Sequence, residues 1–126
     1  MGRRRTDPLA GRAALVAWLE GRADKKTTTT AVRFTLEELA EVAPGHAVEV
    51  RVPPAGAVQC VEGPQHTRGT PPNVVEMDVE TWLALASGQL EWTQALDQAL
   101  VSASGERADL REWLPLQAAR LRSHGA

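Results

Sequence analysis

The chain has one thiol, Cys60, and three imidazoles, at His46, His66 and His124. Cys60 and His66, with Glu62 between them, bring sulfur, nitrogen and oxygen donors into one short stretch. A nucleophilic cysteine needs a base or a helix N-terminus to hold its thiolate. A zinc site needs ligand spacings that Cys60, Glu62 and His66 do not have. Cys60 instead sits in a strand-like segment, where a lone cysteine behaves as a small buried hydrophobe. Glycine-rich phosphate loops and Gly-x-Ser-x-Gly elbows are absent, and Ser87-Gly88 and Ser104-Gly105 read as the ends of elements. The expectation is therefore no catalytic residue, no metal and no cofactor.

The most distinctive polar segment is His66-Thr67-Arg68-Gly69-Thr70. Arg68 offers a planar, permanently charged fork, and His66 and Thr70 offer further donors, a set suited to an anion or a ligand headgroup. The competing reading pairs Arg68 with Glu62 or Glu76 and makes it a loop fastener. Trp82, Trp92 and Trp113 fall on short helical segments. They pack helices onto a sheet, or they line an apolar cavity with a few polar groups at its mouth.

These residues need elements to place them. Asp7-Pro8 caps and opens a helix over 8–20, with Leu9, Ala13, Val16 and Leu19 in helical register. Residues 21–30, ending in four threonines, read as a mobile connector. A second helix starts near Thr30 or Thr35, carries Val32, Leu36, Leu39 and Ala43 on one face, and ends at Pro44-Gly45. Val48, Val50 and Val52 then alternate with charged residues, the pattern of a strand with one buried face. After Pro53-Pro54, residues 57–62 complete a hairpin. Residues 63–72, with three prolines and two glycines, form a stiff loop. A third strand (73–77), a helix capped by Asp78 and Gly88, a short helix (91–99), a strand (101–104) and a last helical turn or two (108–114) follow. This order predicts an α+β domain with an antiparallel sheet.

The 126 residues fit one domain, and a single cysteine allows no internal disulfide, which fits a reducing, cytoplasmic setting. A net charge of −2 does not favour nucleic acid as the main partner. No apolar run approaches the roughly twenty residues that cross a membrane. Arg3, Arg4 and Arg5 are followed by Asp7 and Pro8 rather than an apolar stretch, so the N-terminus reads as a solvated basic tail. Gly2 through Thr6 matches only the bare pattern for myristoylation.

Two stretches carry a family resemblance. "TWLALASGQLEW" and "ALDQALVSASGERADLREWLPL", between Asp78 and Leu116, resemble the sterol carrier protein 2 superfamily. The run "VEVRVPPAGAVQCVEGPQHTRGTPPNVVEMD", Val48 to Asp78, looks like its small bacterial branch, the bacterial sterol carrier family proteins. The likeness covers residues 31–116, after an N-terminal helix and Thr-rich connector (1–30) and before a tail (117–126). It implies a sheet of about five antiparallel strands covered by helices, with an apolar tunnel between them that holds lipids. Related domains also serve as accessory modules without lipid transfer.

The expected function is thus non-enzymatic carriage of a fatty acyl, isoprenoid or sterol-like lipid. Val50, Val58, Val75, Trp82, Leu85, Trp92, Leu96 and Val101 would line the tunnel, and His66, Arg68 and Thr70 would meet the headgroup. The alternative is a protein-interaction or accessory module of the same fold with no ligand. The implied partner is an apolar small molecule, with a homodimer as a further option. Neither nucleic acid nor stable membrane insertion is expected.

Overall fold

The computed structural model describes residues 6–63 and 73–116. Helix α1 (Pro8–Leu19) starts at Asp7, whose carboxylate accepts from the Ala10 amide at 3.0 Å. Its buried residues are Gly11, Ala14, Leu15 and Ala17, so the face turned inward is not the one expected from Leu9, Ala13, Val16 and Leu19. Leu9 is 79% exposed. Small residues win that face because α1 lies very close to its neighbour. A Cβ placed on Gly11 would overlap the ring of Phe34, so only glycine allows this approach.

That neighbour, α2, runs Lys25–Val42 and begins well before Thr30 or Thr35. The supposed connector is its first turns. Asp24 caps it by accepting from the Thr27 amide at 2.7 Å, and hydrogen bonding to the Thr27 side chain, then to its amide, holds the Asp24 carboxyl below its ordinary range. Threonine is a weak helix former because its hydroxyl competes for backbone groups. Here that competition stays inside the helix: the Thr30 hydroxyl donates to the Lys26 carbonyl at 3.2 Å. Burial of Ala31, Val32, Phe34, Leu36 and Leu39 then outweighs propensity.

The sheet has four strands among the described residues: β1 (Val48–Val52), β2 (Gly56–Cys60), β3 (Asn73–Glu76) and β4 (Ser102–Ser104), in the order β2-β1-β3-β4. The sheet is mixed, where a fully antiparallel one of about five strands was expected. β1 pairs antiparallel with β2, Val50 opposite Val58, but parallel with β3, Val50 opposite Val75. β3 and β4 are antiparallel, with Val75 opposite Ala103. β3 thus joins the side of β1 away from β2, and the chain, reversed in direction between β2 and β3, runs there parallel to β1.

One face of the sheet is dry and the other wet. Val48, Val50, Val52, Cys60 and Val75 are buried, whereas Arg51 on the opposite face meets Glu49 at 3.0 Å and Glu76 at 3.9 Å. Helices α2 and α3 (Val79–Ser87) belong to the same core, α3 contributing Trp82, Leu83, Leu85 and Ala86. Asp78 caps α3 through the Thr81 amide at 2.8 Å, and Gly88, at φ +87°, ends it in the left-handed conformation. A short α4 (Trp92–Asp97) follows. Residues 108–114 form turns and extended chain rather than the expected helix. Among the described residues no helix is long and apolar enough to cross a membrane.

Candidate functional site

The sheet and the helices bring most of the expected tunnel residues together. Val50, Val75, Trp82, Leu85, Trp92 and Val101 belong to one buried cluster. Val58, on edge strand β2, is half-buried against that cluster, and Leu96 is 39% exposed and stands apart from it. His66, Arg68 and Thr70 lie outside the described residues.

The cluster is packed by its own side chains at the centre. Trp82 is fully buried, and its indole N–H donates to the Thr35 hydroxyl at 2.8 Å. Thr35 in turn donates to the Ala31 carbonyl, also at 2.8 Å. Every polar atom in that chain has a partner, which is what burial of a tryptophan requires. Cys60 closes the same layer. Burial pushes its thiol up to about 11, so almost none of it is thiolate at neutral pH. Among the described residues no three histidine, cysteine or carboxylate groups are placed to hold a metal ion. His46 is committed elsewhere, its Nδ1 lying 2.7 Å from the Gln59 amide oxygen.

The surface opens near the end of the chain. After β4, residues 105–116 fold back as a strap across the C-terminal end of α3. Leu116 N–H donates to the Ala86 carbonyl at 2.9 Å, Trp113 N–H to the Leu110 carbonyl at 2.9 Å, and the Pro115 ring sits over Gly88. Between this strap and the α3–α4 turn lies a cleft of about 380 Å³, walled by Leu90, Trp92, Leu114 and Pro115 with Arg111 at its border. Trp92 links the cleft to the core, since it belongs to both. Its indole nitrogen is buried and has no hydrogen-bond partner among the described residues.

A second cleft of about 400 Å³ lies on the other side of the strap, lined by Val61, Arg107, Asp109, Arg111, Glu112 and Trp113. It is far more polar in its residues. Val61 holds φ at +70°, an unusual conformation for a β-branched residue. Two backbone bonds keep it there, Val61 N–H to the Ala43 carbonyl at 2.6 Å and Ala47 N–H to the Val61 carbonyl at 3.0 Å. The side chain of Asn73 ties this corner together. It donates to the Ala47 carbonyl at 2.8 Å and accepts from the Arg107 amide at 3.0 Å. Gly63 and Asn73, the described residues on either side of 64–72, both lie beside Arg107.

Sequence reasoning found the tryptophans and missed the strap. The sequence puts Arg111 and Leu114 in a last helical turn or two over 108–114 that Pro115 stops, and gives no sign that this segment folds back across α3.

A family model described as a bacterial SCP ortholog matches residues 24–116. The match begins at the residue that caps α2 and leaves α1 outside it. No curated protein matches the chain.

Proposed function

The chain belongs to the bacterial SCP ortholog family, and from that membership we propose that it binds an apolar, lipid-like ligand without chemical transformation of it. The observation that carries this reading is an apolar cleft, at Leu90, Leu114 and Pro115, whose wall residue Trp92 also belongs to the core cluster holding Val50, Val75, Trp82, Leu85 and Val101. A ligand entering there exchanges water for hydrocarbon at about 0.8 kcal/mol for each buried methylene, enough to offset the entropy of binding without a catalytic group. Because the centre around Trp82 is filled, the reading puts the ligand beside the half-buried Leu114 and Pro115 of the strap. His66, Arg68 and Thr70 remain the sequence-based choice for a headgroup contact.

A second reading, an accessory module that takes no ligand, is favoured by one observation: the interior is filled by its own side chains. Native mass spectrometry on protein purified without detergent separates the two. A lipid-sized adduct, lost on organic extraction, is expected for the binding protein. A bare chain that also stays bare when incubated with fatty acids, fatty alcohols and isoprenoid alcohols would overturn the reading and leave the accessory module.

A further inference from the structure

The two buried indoles differ in one respect that bears on what the cleft accepts. Trp82 has an acceptor at 2.8 Å, whereas the Trp92 N–H has none among the described residues. Burying an N–H without a partner is unfavourable, and native structures leave few such groups. An acceptor delivered by a ligand removes that defect, and a hydrocarbon does not.

The charges around the cleft decide which kind of acceptor. Arg111 and Glu91 both line it, so their charges oppose each other. The Arg111 side chain is 64% exposed and already lies 3.9 Å from an Asp109 oxygen. An incoming carboxylate would meet no net positive charge and would lose its hydration in a mostly apolar cleft. A neutral carbonyl can accept the indole hydrogen without either penalty.

We infer that the cleft between the α3–α4 turn and the C-terminal strap binds neutral carbonyl-bearing apolar molecules, such as ketones or acyl esters, with the carbonyl oxygen accepting from the Trp92 indole N–H. This inference rests on the ligand-binding reading above and names the ligand class for it. The indole nitrogen is covered in the free protein, so binding requires a small local opening as the ligand enters. The strap is held at both ends, by the Arg107 amide on Asn73 and the Leu116 amide on Ala86, and by buried Ala108, Leu110 and Leu116, so the opening is confined to the half-buried Leu114 and Pro115.

The test is a nitrogen–proton correlation spectrum of the full chain, in which the four tryptophans give four indole signals. The Trp92 signal is assigned through bonds, and 2-octanone, octane and octanoate are titrated separately. The expected result is a saturable downfield shift of the Trp92 indole proton with 2-octanone, little shift with octane, and a response to octanoate no larger than that to the ketone. Trp92→Phe should weaken 2-octanone about tenfold, read from the Leu114 methyl signals, while changing octane by less than about twofold. Arg111→Ala should leave the ketone response in place. Leu114→Gln, which spoils the apolar wall but keeps the donor, should weaken all three probes.

Equal shifts with octane and 2-octanone would overturn the inference and leave ligand binding standing. A larger response to octanoate that is lost in Arg111→Ala would also overturn it, in favour of an anionic head. If no probe moves any signal, the ligand-binding reading and this inference fall together.

Discussion

Trp82 and Trp92 are ten residues apart, on consecutive helices of one core, and the protein treats them differently. Trp82 is sealed under α2, its N–H bonded to Thr35, with Val50 and Val75 in the same buried cluster. Trp92 is 4% exposed yet borders a cleft, and its N–H is unsatisfied among the described residues. The first arrangement is complete without anything from outside. The second lacks one acceptor among the described residues. The packing makes the Trp82 region a closed scaffold, whereas Trp92 stands where that scaffold meets a cleft.

Substitutions can break that contrast at its strong end. Trp82→Ala should cost about 3–5 kcal/mol, because it removes a fully buried indole from a packed centre that cannot collapse around the gap. Urea unfolding followed by circular dichroism would measure it. A loss below about 1 kcal/mol would mean that the centre is loosely packed, and the tunnel reading would return.

Cys60 probes the same dry layer by pH. Its thiol, raised from an ordinary value near 9 to about 11 by burial, is neutral in the native state while the unfolded chain ionises. Its stabilising contribution is therefore whole below about pH 9 and is lost as pH rises toward 11. Measured against Cys60→Ala to cancel every other titrating group, the stability gap should narrow by about 2 kcal/mol between pH 8 and pH 11. A constant gap would mean that water reaches the thiol. Alkylation of the native protein at neutral pH should likewise be slow, following unfolding rather than reagent concentration.

Thr35→Val sharpens the comparison by making Trp82 resemble Trp92. The substitution keeps the shape of the side chain and deletes the acceptor, leaving the indole N–H buried and unpaired. The expected cost is about 1–2 kcal/mol, and replacing the indole as well, in Thr35→Val with Trp82→Phe, should recover part of the polar penalty. No change in Thr35→Val would show that an orphaned indole is harmless in this core, and Trp92 would then carry no message.

The contrast was only half visible in the sequence. Caps and local alternation showed in the chain because their causes lie within a few residues: Asp7-Pro8, Asp78 with Gly88, and the Val48–Val50–Val52 alternation that pairs with β2. The start of α2 was hidden because four threonines argue locally for a connector, and only burial of Ala31, Val32 and Phe34 reverses that preference. The parallel pairing of Val50 with Val75 was hidden for another reason: nothing near either residue records which side of β1 the later strand joins. At the candidate site, the tryptophans and their apolar company were legible as residue types. That one indole would find a hydroxyl 47 residues back and the other no partner among the described residues is a fact of tertiary packing.

The smallest expected effect lies at Trp92 itself, and its sign separates structure from function. Trp92→Phe removes part of a buried ring, which destabilises, and removes a buried donor unpaired among the described residues, which stabilises. The two terms oppose each other, so the free protein should change by less than about 1 kcal/mol, against the several lost at Trp82. The ligand-bound protein should not share that tolerance. If a carbonyl satisfies the indole, the stabilisation conferred by 2-octanone, read as a rise in the unfolding midpoint at a fixed excess of ligand, should shrink in Trp92→Phe. A variant as strongly stabilised as the wild type would make Trp92 an ordinary wall residue. A variant already unfolded without ligand would make it a second Trp82, and the distinction between a finished scaffold and an unfinished site would disappear.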